Sequence, residues 1–333
     1  MSSRFNPLEP FWFPLCPLSL LETHPIQPFT IMGHPLVVWK QPNGLIGAVA
    51  DRCSHRSAKL SLGAISATGL LSCPYHGWQF DASGACRERP QCPDKTIPAT
   101  CNIQAYACDV RYGYVWINLD SGSRASIPLF PESCDPGMRQ IAGFHEIWNC
   151  SAFLVLENSF DHYHHCFVHA GLLEPLTVIP ASIQGFRLDG DGGFQYSTVL
   201  RVSNSGQLGG ALGHGDSVAT VKRTVSWLFP FGVSLELAWS HGLWQRIIQY
   251  AIPVSENACL INRFYIRNDT ESDVSADQLL GFERRLIDQD RDILEAIVED
   301  HRSPTASLAN LIDADGPIKL IRRKLAAALS REG

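Results

Sequence analysis

Cys53-Ser54-His55-Arg56 and Cys73-Pro74-Tyr75-His76-Gly77-Trp78-Gln79-Phe80-Asp81 decide the reading of this chain, with seventeen residues between His55 and Cys73. Cysteine and histidine alternate in a C-x-H-x17-C-x-x-H pattern. Two thiolates and two imidazoles on two short loops can hold a [2Fe-2S] cluster, the cysteines on one iron and the histidines on the other. A structural Cys2His2 zinc site is the rival reading. Zinc-finger spacing pairs the cysteines first and the histidines later, so the alternation favours two irons with different ligands. Gly77 and Gly84 let the backbone pass close to a cluster, and Pro74 stiffens its loop. Such a cluster moves single electrons, so its owner either carries them or uses them in chemistry.

The flanks extend the match. Cys73-Pro74-x-His76-Gly77-Trp78-x-Phe80-Asp81-x-x-Gly84 resembles the C-P-x-H-G-W-x-[FY]-D-x-x-G signature of Rieske proteins. Respiratory members add a cysteine to each ligand loop for a disulfide, and neither loop here has one. The resemblance therefore implies the Rieske domain of an oxygenase.

A chain of 333 residues is too long for a cluster domain alone and predicts about two domains. Its net charge of -6 gives no footprint for nucleic-acid binding. Eleven cysteines are spread without a small-scaffold disulfide pattern. Cys86, Cys92, Cys101 and Cys108 read as reduced thiols. The apolar Phe11–Leu18 stretch is broken by Pro14 and Pro17 and is too short to span a bilayer. No secretory leader is visible, which leads to the expectation of a soluble cytoplasmic protein without membrane or nucleic-acid partners.

Residues 30–120 alternate apolar and polar in short runs, such as Pro35–Trp39 and Gly113–Leu119, separated by Gly, Pro, Asn and Asp. They predict β-strands joined by turns. Ser121–Gly137, rich in Ser and Pro, reads as the boundary region. Strand-like runs resume at Phe144–Trp148 and over Thr224–Ile266. Helices are predicted at 155–169 and 275–300. The expected architecture is α+β: an all-β cluster domain over 1–122, then a catalytic domain over 123–333 with an antiparallel sheet and helices of helix-grip type.

The first of those helices carries Asp161-His162-Tyr163-His164-His165-Cys166-Phe167-Val168-His169. Four histidines and an aspartate within nine residues point to a metal. His165 and His169 have the natural helical spacing, whereas His164 and His169 converge only if the helix is distorted, as by a π-bulge. Spacing alone leaves that choice open. A third ligand has a candidate in the later helix. Ser275 is its expected cap, with Gln278 completing a capping box. Its apolar stripe runs Leu279, Phe282, Leu286, Ile293, Ile297, and Asp290 interrupts it. A carboxylate on a buried face is costly unless paired or metal-bound. Glu283 lies at the stripe's edge as a second candidate, while Asp288, Asp292 and Glu295 read as solvated.

Asn158-x-x-Asp161-x-x-His164-x4-His169 resembles the N-x-x-D-x-x-H-x4-H signature of Rieske non-heme iron oxygenases. The resemblance implies that His164 and His169, with Asp290 as carboxylate, bind one mononuclear Fe(II) that works with dioxygen. It implies the cluster on Cys53, His55, Cys73 and His76, and a homotrimer in which Asp161 links a cluster histidine of one chain to an iron histidine of the next. It further implies a separate NAD(P)H-dependent reductase or ferredoxin, because no nicotinamide or flavin fingerprint is present. The length resembles the shorter oxygenases that demethylate or hydroxylate, and the cluster half resembles methylxanthine N-demethylases. The alternative is an electron carrier or cluster-based sensor. Trp227, Phe229, Phe231, Trp239, Trp244 and Phe264 offer aromatic walls for a small ring-bearing substrate, although any single one reads first as sheet core, and Asn262 and Gln249 offer polar contacts, although each reads first as a sheet-surface residue. Ser203–Asp216, rich in Gly and Ser, reads as either a lid or a surface loop.

Overall fold

The computed structural model describes residues 5–172, 174–175, 183–190, 192–203, 211, 218–298 and 303–330. The chain divides into two compact units between Ile127 and Pro128.

The first unit is built from three antiparallel sheets. Strands β1 (Trp12–Pro17), β10 (Tyr114–Asn118) and β9 (Ala107–Arg111) form one sheet, and β2 (Ile26–Ile31), β3 (His34–Lys40) and β4 (Ile46–Ala50) a second. The third is a run of short strands, β5 (Ala64–Ile65), β6 (Leu71–Ser72), β7 (Gln79–Phe80) and β8 (Cys86–Glu88). A short helix, α1 (Leu18–Thr23), follows β1. Val37, Trp39, Val49, Leu60, Leu71 and Phe80 form a core that also takes in Cys53 and Cys73. Each large apolar side chain buried in this way contributes about 1.5–3 kcal/mol. The Trp39 indole N–H donates to the Gly69 carbonyl at 3.0 Å, so this core leaves no indole donor unmet there.

In the second unit an eight-stranded antiparallel sheet runs β11 (Arg139–Trp148), β18 (Ala258–Arg267), β17 (Trp244–Ser255), β16 (Gly232–Trp239), β15 (Val218–Leu228), β14 (Phe194–Ser203) and β12 (Glu174–Pro175). The eighth strand, β13 (Gln184–Leu188), also pairs with β14. Helix α2 (Ala152–Phe160) is capped by Ser151, whose hydroxyl accepts from the Phe153 N–H. Helix α3 (Ala276–Ala296) begins at Ser275, whose hydroxyl accepts from Gln278 N at 3.1 Å, as its sequence predicts. Helix α4 (Gly316–Leu329) starts with a proline in its first turn and buries Ile318, Ile321 and Leu325. Arg322 of α4 meets the Glu157 carboxylate of α2 through two bonds of 2.6 and 2.8 Å, so the last helix is tied to the element that leads into the histidine segment. None of the described helices is long and apolar enough to cross a membrane.

Two expectations about the helices are corrected. The predicted helix over 155–169 ends at Phe160, because Asp161 adopts an extended backbone and its Oδ1 accepts the Tyr163 N–H at 2.7 Å. An aspartate that bonds the backbone two residues ahead competes with helix continuation. His164–Cys166 then form one short 3-10 turn, and no π-bulge is involved. In α3 the buried stripe is Leu279, Phe282, Leu286, Ile287 and Leu294. Ile293 is 52% exposed and Ile297 lies at the C-cap. The helical phase that buries Ile287 and Asp290 rotates Ile293 away from the sheet.

Candidate metal centres and substrate cavity

The two cluster loops are built alike. Cys53 N donates to the Ala58 carbonyl and the Cys53 carbonyl accepts from Ser57 N, both at 2.9 Å. Likewise Cys73 N donates to the Trp78 carbonyl at 2.8 Å and the Cys73 carbonyl accepts from Gly77 N at 3.0 Å. Each loop needs a left-handed residue at the same place, supplied by Ser57 (φ 59) and Gly77 (φ 73). A Cβ at Gly77 would lie 3.2 Å from Pro90 Cγ. Cys53 and Cys73 are 2% and 4% exposed. Burial pushes the Cys53 thiol up to about 11; the His55 N–H pulls it down and the neighbouring Cys73 thiol raises it. The His55 and His76 rings lie 4.6 Å apart, centroid to centroid. Trp78 stacks flat on His55 at 4.7 Å, a support that the motif alone does not reveal. Two buried thiols side by side and two adjacent imidazoles match the donor set of the cluster.

The second centre joins a turn to a helix. One ligand atom each from His164, His169 and Asp290 lies within 4.8 Å of the others. His169 Nε2 is 3.3 Å from Asp290 Oδ1, and His164 Nε2 is 3.6 Å from the same oxygen. That oxygen is buried and has no hydrogen-bond partner. An unpaired buried carboxylate oxygen between two imidazole nitrogens fits a cation between all three, since burying it otherwise is costly. His169 Nδ1 lies 3.0 Å from Gln289 Oε1, which fixes Nδ1 as the donor and leaves Nε2 free for a metal. Burial lowers the His169 pKa, but Asp290 and Gln289 outweigh it and raise the group above its ordinary value. On the far side, Asp161 Oδ2 is 3.7 Å from His164 Nδ1, just beyond hydrogen-bond length. Burial acts to raise the Asp161 carboxyl, and His164 with the Tyr163 N–H overcomes this and holds it below the usual range.

The other residues weighed from sequence lie elsewhere. Glu283 is paired with Arg263 rather than with the histidines. His162 donates to or accepts from the Tyr196 hydroxyl at 2.7 Å, and His165 Nδ1 lies 3.2 Å from the His162 carbonyl. Asp288 pairs with Arg284 at 3.0 Å. Glu295, expected to be solvated, instead accepts from Asn149 N and Arg291 Nε, each at 2.8 Å.

Residues 11–107 match the Rieske [2Fe-2S] domain, and residues 148–331 match the vanillate O-demethylase oxygenase C-terminal domain. Methylxanthine N3-demethylase NdmB of Pseudomonas putida is 31% identical over 305 residues, covering 87% of this chain and 81% of that protein. Methylxanthine N1-demethylase NdmA of the same organism is 32% identical over 299 residues, with the same coverage. The structure of NdmA with caffeine superposes with a TM-score of 0.81 at 28% identity, over 97% of this chain and 91% of that one. The chain belongs to the Rieske non-heme iron oxygenases. It is an oxygenase component with a Rieske cluster and a mononuclear iron, of the kind that demethylates or hydroxylates small organic molecules. The carrier or sensor alternative is not supported.

In this oxygenase a cavity of about 180 Å³, open to water-sized molecules, reaches His164, His169 and Asp290 between the sheet face and α3. Helical spacing aims Leu279, Phe282, Glu283, Leu286, Ile287 and Asp290 into it. Opposite them, alternate residues of β15 to β18 face inward. One row across the sheet is Thr198, Arg223, Leu237, Gln245 and Arg267. Of the expected aromatic walls only Trp239 lines the cavity, joined by Trp148 and Phe282. Phe264 faces the other side, packing on Phe130, and Trp227 packs among Phe194 and Phe229. Aliphatic side chains such as Leu235, Leu237, Ile247 and Leu286 share the walls with polar and charged ones. Gln249 lines the cavity, whereas Asn262 is fully buried against His145. Of Ser203–Asp216, all but Ser203 and Ala211 lie outside the described residues. Sequence reasoning missed three arginines on the cavity wall: Arg223, Arg263 and Arg267.

Proposed function

We propose that His164, His169 and Asp290 hold the catalytic Fe(II), that Cys53 and Cys73 take one cluster iron and His55 and His76 the other, and that Asp161 carries electrons toward the iron. The convergence of His164, His169 and Asp290 around one unpaired buried oxygen supports this reading most directly. The cluster domain lies within residues 1–122 and the iron domain within 123–333. When bound by His164, His169 and Asp290, the iron would supply oxygen activation beside the substrate. Gln289 holds His169 in the tautomer that can bind metal, while Asp161 faces His164 Nδ1 at 3.7 Å. The aliphatic walls exclude water around the reacting methyl or C–H group. The net reaction for a demethylation consumes the N- or O-methyl substrate, dioxygen, two electrons and two protons, and yields the demethylated product, formaldehyde and water.

The electrons come from NAD(P)H through a separate reductase or ferredoxin. The working assembly is a cytoplasmic homotrimer, in which Asp161 of one chain meets the cluster histidines of the next; a head-to-tail contact that closes by rotation gives such a ring. N-demethylation is the activity carried by the names of the relatives and is the first to assay here.

The test is an iron and acid-labile sulfide count on anaerobically purified wild type and His164→Ala. Wild type should hold about three irons and about two sulfides per chain, the sum of the cluster and one further iron. The variant should hold about two of each with the cluster absorbance intact. Two irons in both proteins after reconstitution would remove the mononuclear site and with it the oxygenase assignment of these residues.

A further inference from the structure

We propose that Arg223 is the anchor for an anionic group of the substrate, so that this cavity selects a small carboxylate, or an acid of equivalent charge, over its neutral isostere. The proposal deepens the reading above and rests on it, since it concerns the cavity beside the same iron ligands.

Three arginines line the cavity, and two are answered. Arg263 pairs with Glu283 and also bonds the Tyr265 hydroxyl and Gln249. Arg267 meets both oxygens of Asp269 and donates to Gln245. Arg223 is different. It is 6% exposed and faces the cavity. Among the described residues no carboxylate lies within ion-pair distance of it, and none accepts a hydrogen bond from it. Its cross-strand neighbours are Thr198 and Leu237, which carry no charge.

The groups close enough to feel its charge are His162, His165 and Tyr196. None of them offers an anion. His162 and His165 line the same cavity as Arg223 and bring imidazoles, which carry no negative charge. Burial raises the Tyr196 hydroxyl so that it stays protonated. Arg223 is thus a buried guanidinium that faces the cavity with no carboxylate partner among the described residues. A buried charge without a partner is costly, and a guanidinium is matched in shape to a carboxylate. A bound anion supplies the missing partner.

The position is also suited to specificity. Arg223 lines the same cavity as His164, His169 and Asp290, and His165, whose ring centroid is 4.2 Å from that of His164, lines it too. An anion held there directs the remainder of the molecule along the chamber toward the His164–Asp290 pair. The aliphatic faces of Leu237, Leu235 and Ile247 lie along that path. Shape and apolar contact accept many rings of suitable size, whereas one uncompensated cation separates acids from neutral analogues.

The experiment uses the reconstituted holoenzyme as wild type, Arg223→Gln and Arg223→Lys. Dissociation constants are measured anaerobically by calorimetry for benzoate, 4-methoxybenzoate and 2-naphthoate, each against its primary amide. At least one acid should bind wild type about tenfold or more tighter than its amide, the lower end for a charge-assisted contact. Arg223→Gln should bring the pair to within about twofold, and Arg223→Lys should retain part of the preference. Equal affinities in wild type, no binding of any probe, or a preference that survives Arg223→Gln would overturn the proposal. Thermal unfolding of the ligand-free proteins gives a second check. Arg223→Gln should melt no lower than wild type, and a clear fall would show that the chain itself provides the anion. Iron and sulfide are counted in the same samples. A wild type lacking its third iron fails the functional reading, whereas a fully loaded enzyme indifferent to charge fails only the anion site.

Discussion

Gln289→Leu isolates the hydrogen bond to His169, one of the proposed iron ligands. Gln289 Oε1 sits 3.0 Å from His169 Nδ1, and His169 is 3% exposed, so water has little access to replace the lost acceptor. Leucine keeps the side-chain bulk and removes the acceptor. The direct loss is one hydrogen bond, about 1 kcal/mol, and an N–H left buried without a partner adds about 1–3 kcal/mol. The imidazole escapes part of that penalty by turning or by moving its proton to Nε2, and either response withdraws the nitrogen that faces Asp290. Loss of such partners weakens metal affinity roughly 10–100-fold, or about 1.4–2.7 kcal/mol, which falls inside the range of about 1–4 kcal/mol spanned by these two contributions. Competition with an Fe(II) chelator under anaerobic conditions measures the effect, and the cluster absorbance serves as an internal control. Gln289→Leu should release the mononuclear iron at about 10–100-fold lower chelator strength with the cluster unchanged. Iron affinity within about twofold of wild type would refute the orienting role.

Two further outcomes follow from the charged pairs. Asp269→Asn should destabilise the second unit by about 3–5 kcal/mol near neutral pH in denaturant titration, because Asp269 answers both Arg267, which is fully buried, and Arg139, at 2.8–2.9 Å. Burial raises the Asp269 carboxyl, but the two arginines hold it below its ordinary 3.8; its stabilisation is therefore present above about that pH and lost as pH falls through the lowered value, an acid-limb component that the variant should lack. Asp161→Asn should keep the turn that accepts Tyr163 N–H, and with it the fold and the iron, yet slow reoxidation of the reduced cluster about tenfold or more in single turnover with substrate and dioxygen. Wild-type reoxidation in that variant would remove the electron-relay role.

What the sequence made legible was local. The proposed cluster ligands could be named from sequence because each pair sits within four residues on one loop, and the loops Cys53–Ala58 and Cys73–Trp78 close on their own backbone bonds. Helix α3 was legible from Ser275, the spacing of its apolar residues and the one acid that broke the stripe. The helix over the histidines was misjudged at its end, because the cue was a single side chain: Asp161 satisfies Tyr163 N and stops the helix. Glu295 was misread because its partner, Asn149, is 146 residues away. Of the six aromatics, each read first as sheet core, only Trp239 lines the cavity. Alternation along a strand tells which residues share a face, and only the register of neighbouring strands decides which face holds the cavity.

The same distinction explains where the enzyme's chemistry and its selectivity are encoded. The proposed iron ligands need a turn that brings positions five apart together, and Asp161 makes that turn by ending α2 with one carboxylate oxygen while its other oxygen faces His164. One residue thus couples local folding to ligand orientation, which is why the spacing appears as a linear signature. Arg223, Gln245 and Arg267 meet across β15, β17 and β18 in a row with no linear signature at all. Changing one member of that row alters the charge of the chamber without touching the turn, α3 or the cluster loops. A scaffold arranged in this way can hold its oxygen chemistry fixed while the sheet face changes the acids or neutral rings it admits.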